Sequence, residues 1–101
     1  MRLGILLTTP PLHPNHQTVV RLAHAALARD VRILLYLIDE GTGHIRHADI
    51  VGLTERGVKL FVCTYGMQRY GMPPCPQAVP CGLVVLSDLV KSCDRFMTFS
   101  G

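Results

Sequence analysis

The chain has 101 residues, of which 49% are apolar and 17% charged, and its net charge is +3. That length sets a single domain, 1–101, with one core, and the apolar surplus in so small a chain points to self-association. The basic residues are scattered, with no run and no interleaved aromatics, which argues against nucleic-acid binding, and no apolar stretch nears membrane-spanning length.

Taken in order, residues 3–7 (LGILL) form a short continuous apolar run, the pattern of a strand covered on both faces. Thr8, Thr9, Pro10 and Pro11 end it, and the two prolines stand where a signal peptide would need a longer apolar region. A cytoplasmic protein with four reduced cysteines is therefore expected. Pro14 and Asn15 open a helix, with Asn15 or Thr18 as its N-cap and Val19, Leu22, Ala23, Ala26 and Leu27 as its buried stripe. Residues 31–38 (VRILLYLI) read as a second buried strand, stopped by a turn over Asp39, Glu40, Gly41, Thr42 and Gly43. A short helix over 48–56 ends at Gly57, and a third strand covers 58–63. The segment from Thr64 to Arg69 turns into a short helix closed by Gly71. A loop rich in Pro and Cys then runs over 72–82, with a short edge strand around Val79. A helix over 83–92 and a last strand over 95–99 complete the chain. Continuously apolar strands alternating with helices predict a parallel sheet between helical layers.

Cys63 is the most distinctive chemical group. It stands at the carboxyl end of a strand and just ahead of a helix, where open α/β sheets keep their sites. There the first-turn N–H groups favour a thiolate, which makes Cys63 a nucleophile; a buried strand-end cysteine is the other reading. Parallel strands bring Thr8, Thr9, Asp39, Glu40 and Cys63 to one rim. Thr8 or Thr9 could donate a hydroxyl hydrogen bond to a sulfur anion, although loop hydroxyls more often satisfy local backbone. Asp39 and Glu40 would oppose a thiolate and are assigned no catalytic role. Arg69 could offer positive charge to a bound group or form a surface ion pair, and Tyr65 and Tyr70 fit packing or interface roles. Cys75 and Cys81 match no common zinc spacing; His13, His16, His44 and His47 could in principle complete a site with them, but no metal is expected. A resolving thiol or lid that folds over Cys63 suits that loop better. Gly41-Thr42-Gly43 lacks the third glycine and following helix of a dinucleotide site, so no organic cofactor is expected either.

The opening LGILLTTPP with the helix HQTVVRLAHAAL, the segment CTYGMQRYG and the ending SCDRFMTF resemble the DsrE/DsrF-like sulfur-transfer family, which includes the TusD-type relay subunits. The resemblance implies a three-layer α/β/α sandwich around a five-stranded, mostly parallel sheet. It implies that Cys63, followed by the basic Arg69, carries sulfur as a persulfide without a cofactor or metal; Tyr65, Thr8 and Thr9 are expected in support from their place beside it. It further implies sulfur donor and acceptor proteins as partners, and assembly as a trimer, a hexamer or a heteromer with related subunits. The chain departs from the family pattern in its short segment before the third strand and in the cysteines at 75 and 81. Two other readings stay open: a non-catalytic oligomeric subunit of the same fold, and a redox or metal sensor built on Cys63, Cys75 and Cys81.

Overall fold

Five short strands hydrogen-bond into one sheet in the computed structural model, which describes residues 1–101. They are β1 (Arg2–Leu7), β2 (Arg32–Leu37), β3 (Lys59–Cys63), β4 (Ala78–Cys81) and β5 (Arg95–Phe99), in the order β4-β3-β2-β1-β5. Every pairing is parallel, as a chain that alternates strand and helix requires. The helices are α1 (Asn15–Leu27), α2 (Ala48–Glu55), α3 (Thr64–Arg69) and α4 (Leu83–Ser92). The expected α/β sandwich around a five-stranded sheet is thus present.

Two local features differ from the sequence reading. The first helix starts at Asn15, with Pro14 in the N-cap position and no side-chain cap. Proline's fixed φ, here −54°, already suits the helical turn. Instead, the Asn15 backbone N–H donates to His13 Nδ1 at 3.0 Å, and the Thr18 hydroxyl donates to Pro14 O at 3.4 Å. After β2 the expected turn is a 3₁₀ helix over Asp39–Arg46. Its start is held just past the end of β1: the Gly41 N–H lies 3.2 Å from Thr8 O, as well as 2.8 Å from Ile38 O in its own turn. A Cβ at Gly41 would sit 2.0 Å from the Leu7 carbonyl oxygen, so the close approach excludes every side chain.

The two faces of the sheet are unequally covered. Alternate strand residues such as Ile5, Leu7, Leu35, Leu37 and Val62 join Val19 and Ala23 of α1 and Ile50 and Leu53 of α2 in one cluster of 16 buried residues. On the other face the buried side chains form a cluster of only three, Tyr36, Cys63 and Leu89, flanked by partly buried Leu34, Phe61, Val85 and Leu86. The reason is topological. The first three connections each step to the neighbouring strand, whereas α4 must return from β4 at one border to β5 at the other. One helix of ten residues, about 15 Å long, crosses that face alone. Leu83 and Val84 on its first turn remain 63% and 77% exposed.

Gly41→Ala is expected to destabilise the fold by roughly 1–3 kcal/mol through overpacking against Leu7. Gly52→Ala, in α2 where a Cβ meets nothing within 4 Å, should instead stabilise it by about 0.5–1 kcal/mol. Urea midpoints of the two variants, read at constant slope, check both signs.

Candidate functional site

Cys63 ends β3 and is the N-cap residue of α3, with extended backbone angles of φ −67° and ψ 121°. Strand alternation turns Leu60 and Val62 to the large core and Cys63 to the thinly covered face. There it is 7% exposed, in one cluster with Tyr36 and Leu89. In the β3–β4 register Cys63 stands directly opposite Cys81. Neighbours across a parallel pair point to the same side, so the two thiol side chains share a face. All four cysteines are free.

Tyr36 governs this corner. It is wholly buried, and its hydroxyl donates to Gly82 O at 3.0 Å, with Cys81 O at 3.3 Å. The central strand β2 is thereby tied to the junction of β4 and α4. Burial pushes the Tyr36 phenol above its ordinary range, so it stays a protonated donor. Burial likewise raises the Cys81 thiol, and the nearby Tyr36 hydroxyl only partly offsets this. Behind Cys63, α3 packs against the 3₁₀ segment at Gly66, where a Cβ would lie 2.5 Å from Thr42 Oγ1. That hydroxyl is buried without a hydrogen-bond partner.

The other residues singled out in the sequence are distributed around the rim. Thr8, Thr9, Asp39, Glu40, Arg69 and Tyr70 line one cleft of about 650 Å³, and Cys63 is not among its lining residues. The Thr8 hydroxyl donates to Phe99 O at 3.4 Å, and Thr9 Oγ1 accepts from Asn15 Nδ2 at 3.3 Å. Arg69 lies over the Tyr70 ring, 5.5 Å from its centroid, and Tyr65 is exposed. The two loop cysteines part company. Cys81 adjoins the Tyr36 cluster, whereas Cys75 packs against the large core and donates to Gln77 Oε1 at 2.6 Å.

A second polar group, which residue spacing did not reveal, lies on the α1/α2 side. His44 is completely buried, with Nε2 at 2.9 Å from Thr9 O and Nδ1 at 2.9 Å from His16 Nδ1. His16 Nε2 in turn lies 3.1 Å from Asp49 Oδ2. Burial pushes the His44 imidazole down to about 4, and the hydrogen bond from His16 holds the Asp49 carboxyl below its usual value. The His47 ring lies against His16, tilted by 53° with ring centroids 4.2 Å apart. The pairs His16–His44 and His16–Asp49 are 28 and 33 residues apart in sequence, so no local pattern joins them. The one sequence signal is His44-x-x-His47-x-Asp49 at the entrance to α2.

Comparison with known proteins gives one family and a shared fold. The profile of the DsrE/DsrF-like family matches residues 1–99. The crystal structure of the ychN protein from E. coli superposes with a TM-score of 0.80 at 18% identity, over 97% of each chain. A conserved protein of unknown function from Bacteroides thetaiotaomicron, BT1422, gives 0.81 at 14% identity, over 97% of this chain and 94% of that one. No protein with a curated description matches the sequence.

Tyr36→Phe removes the single hydrogen that ties β2 to Gly82, and should cost about 1 kcal/mol in urea unfolding while speeding alkylation of Cys63. An unchanged Cys63 rate would mean that this tie does not control access. Because the Cys81 thiol is raised, it carries less thiolate at a given pH than an ordinary thiol. Its iodoacetamide labelling at pH 8 should lag behind that of the urea-unfolded chain and catch up only as pH rises further, as peptide mass mapping would show.

Proposed function

Since this chain belongs to the DsrE/DsrF-like family, generally connected with sulfur relay, we propose that it is a sulfur carrier with Cys63 as the carrying atom's host. In the first step the Cys63 thiolate attacks the terminal sulfur of a donor persulfide. The donor's S–S bond breaks, the donor thiolate leaves, and Cys63–S–SH forms. In the second step a partner's thiolate attacks that terminal sulfur and Cys63 leaves as a thiolate. Each step exchanges one S–S bond for another, so no external oxidant, metal or organic cofactor is needed.

The observation that carries this reading is the placement of Cys63 at the end of β3, in register with Cys81 on the thinly covered face. Burial there keeps water and small thiols from a bound persulfide. It also keeps Cys81 protonated. A Cys81 thiolate would attack the inner sulfur, form a Cys63–Cys81 disulfide and lose the cargo as sulfide. A neutral Cys81 leaves the cargo in place, and becomes a resolving thiol only when deprotonated. Cys75, on the other face, takes no part in this step. Arg69, Tyr65, Thr8 and Thr9 fit the surrounding rim as a docking surface for donor and acceptor proteins rather than as groups touching the sulfur.

Access then depends on α4. Val85, Leu86 and Leu89 cover Cys63, and the exposed Leu83 and Val84 continue that apolar face outward. A partner that takes up Leu83 and Val84 would draw the start of α4 aside. The same surface suits assembly with copies of this chain or related subunits, in the reducing cytoplasm where free thiols persist. A non-catalytic oligomeric subunit is the second reading, and the burial of Cys63 is the observation in its favour.

Intact-mass analysis after exposure to a persulfide donor separates the two. A gain of one sulfur atom that a reductant reverses, absent in Cys63→Ser and kept in Cys75→Ser, is the expected result. Equal loading of wild type and Cys63→Ser removes Cys63 from the mechanism. No loading in a chain that sediments as a stable oligomer favours the subunit.

A further inference from the structure

We propose that His16, His47 and Asp49 form a binding site for one divalent transition-metal cation of the zinc class, held on the opposite side of the sheet from Cys63. The inference is independent of the sulfur-carrier reading.

Its starting point is a count of hydrogens. Three contacts follow one another: Thr9 O with His44 Nε2 at 2.9 Å, His44 Nδ1 with His16 Nδ1 at 2.9 Å, and His16 Nε2 with Asp49 Oδ2 at 3.1 Å. A carbonyl and a carboxylate only accept, and two ring nitrogens facing each other share one hydrogen. Each contact therefore needs one, three in all, whereas two neutral imidazoles carry only two. With His44 donating to Thr9 and His16 donating to His44, a neutral His16 would turn the lone pair of Nε2 toward a carboxylate oxygen. A cation must stand between them, either an additional proton or a metal ion.

His47 decides for the metal. Its Nδ1 accepts the Asp49 backbone N–H at 3.3 Å, so that nitrogen bears a lone pair, and it lies 3.7 Å from the same Asp49 Oδ2. A proton serves one donor–acceptor pair. Here three lone-pair atoms converge, all within 4.8 Å of one another. Zinc bonds of about 2.0–2.1 Å in tetrahedral geometry place neighbouring ligand atoms about 3.3–3.4 Å apart. The observed 3.1 and 3.7 Å to Asp49 bracket that spacing, the two imidazole nitrogens lie within 4.8 Å of each other and would close on the ion, and the ion would take over the His47 lone pair from the helix cap.

The support behind the ligands is also of the kind metal sites use. His16 is buried, and its Nδ1–H is oriented by His44, which the Thr9 carbonyl fixes in turn. Two imidazoles and one carboxylate suit zinc and its neighbours rather than magnesium or calcium. Asp49, whose side chain is 56% exposed, opens onto a pocket of about 620 Å³ lined also by Gln17 and Arg21. The fourth coordination position faces this pocket and is left for water or an exchangeable ligand.

The test is calorimetric titration of the reduced, chelator-treated full chain with Zn²⁺, alongside Co²⁺ absorption spectra. One ion per chain is expected. Asp49→Asn and His47→Ser, the latter keeping a helix cap, should each weaken binding by at least about tenfold. The Co²⁺ complex should show ligand-field bands without a thiolate charge-transfer band, and a variant with all four cysteines changed to serine should bind equally well. Absence of stoichiometric binding, affinity indifferent to both surface substitutions, or a thiolate band would overturn the proposal. Circular dichroism of each variant confirms that a loss of binding reflects lost ligands and not lost fold.

Discussion

The return of the chain from β4 to β5 is the constraint on which the rest of this molecule depends. Three connections, through α1, α2 and α3, are spent on stepping outward from β1 to the β4 border. Only α4 remains to bring the chain back across β3, β2 and β1. One face therefore receives a full hydrophobic layer and the other a single strap. Sheet faces gain stability from apolar area removed from water, at about 25 cal/mol per Å². The α1/α2 side supplies most of that gain. The α4 side is correspondingly the one that can be disturbed at least cost.

This division assigns the two polar centres different characters. Cys63 and Cys81 sit under the strap, where Tyr36 secures the β4–α4 junction. The His16–His44–Asp49 series is anchored on the well-packed side, with its inner end fully enclosed. Under the proposed carrier function, the sulfur that meets other proteins lies on the yielding face. The proposed metal ligands, whose mutual distances must stay fixed, lie on the rigid one. The Thr8–Thr9 corner adjoins both the cleft with Arg69 and, through Thr9 O, the histidine series.

Much of the fold was legible in the residues themselves. The helix over Leu83–Ser92 and the strand over Arg95–Phe99 follow from apolar spacing, and the strand-end position of Cys63 follows from where its apolar run stops. The 3₁₀ segment over Asp39–Arg46 was not legible, because it arises from a tertiary contact: Gly41 lies against the Leu7 carbonyl, and nothing local announces that. Unequal coverage was hidden for a related reason. VRILLYLI is apolar at almost every position, and such a run looks the same whether its second face meets a thick layer or one helix. Tyr36 gave no sign within that run that its hydroxyl would fasten Gly82. The facing of Cys63 and Cys81 required the β3–β4 register, which an edge strand containing Pro80 leaves unspecified until it is paired. His16 lies too far in sequence from His44 and Asp49 for any spacing rule to join them. Beside the loop cysteines the histidines suggested one kind of site, but His16 and His47 meet Asp49 instead.

The sheet's two margins are also unlike each other. β4 has four residues, and Pro80 deprives it of one backbone N–H, whereas β5 has five residues without a proline. An added strand would find a poorer template beside β4 than beside β5. Should destabilised chains polymerise by sheet extension, the fibre would inherit a polarity, recruiting new material past Phe99 while the proline-bearing flank stays blunt.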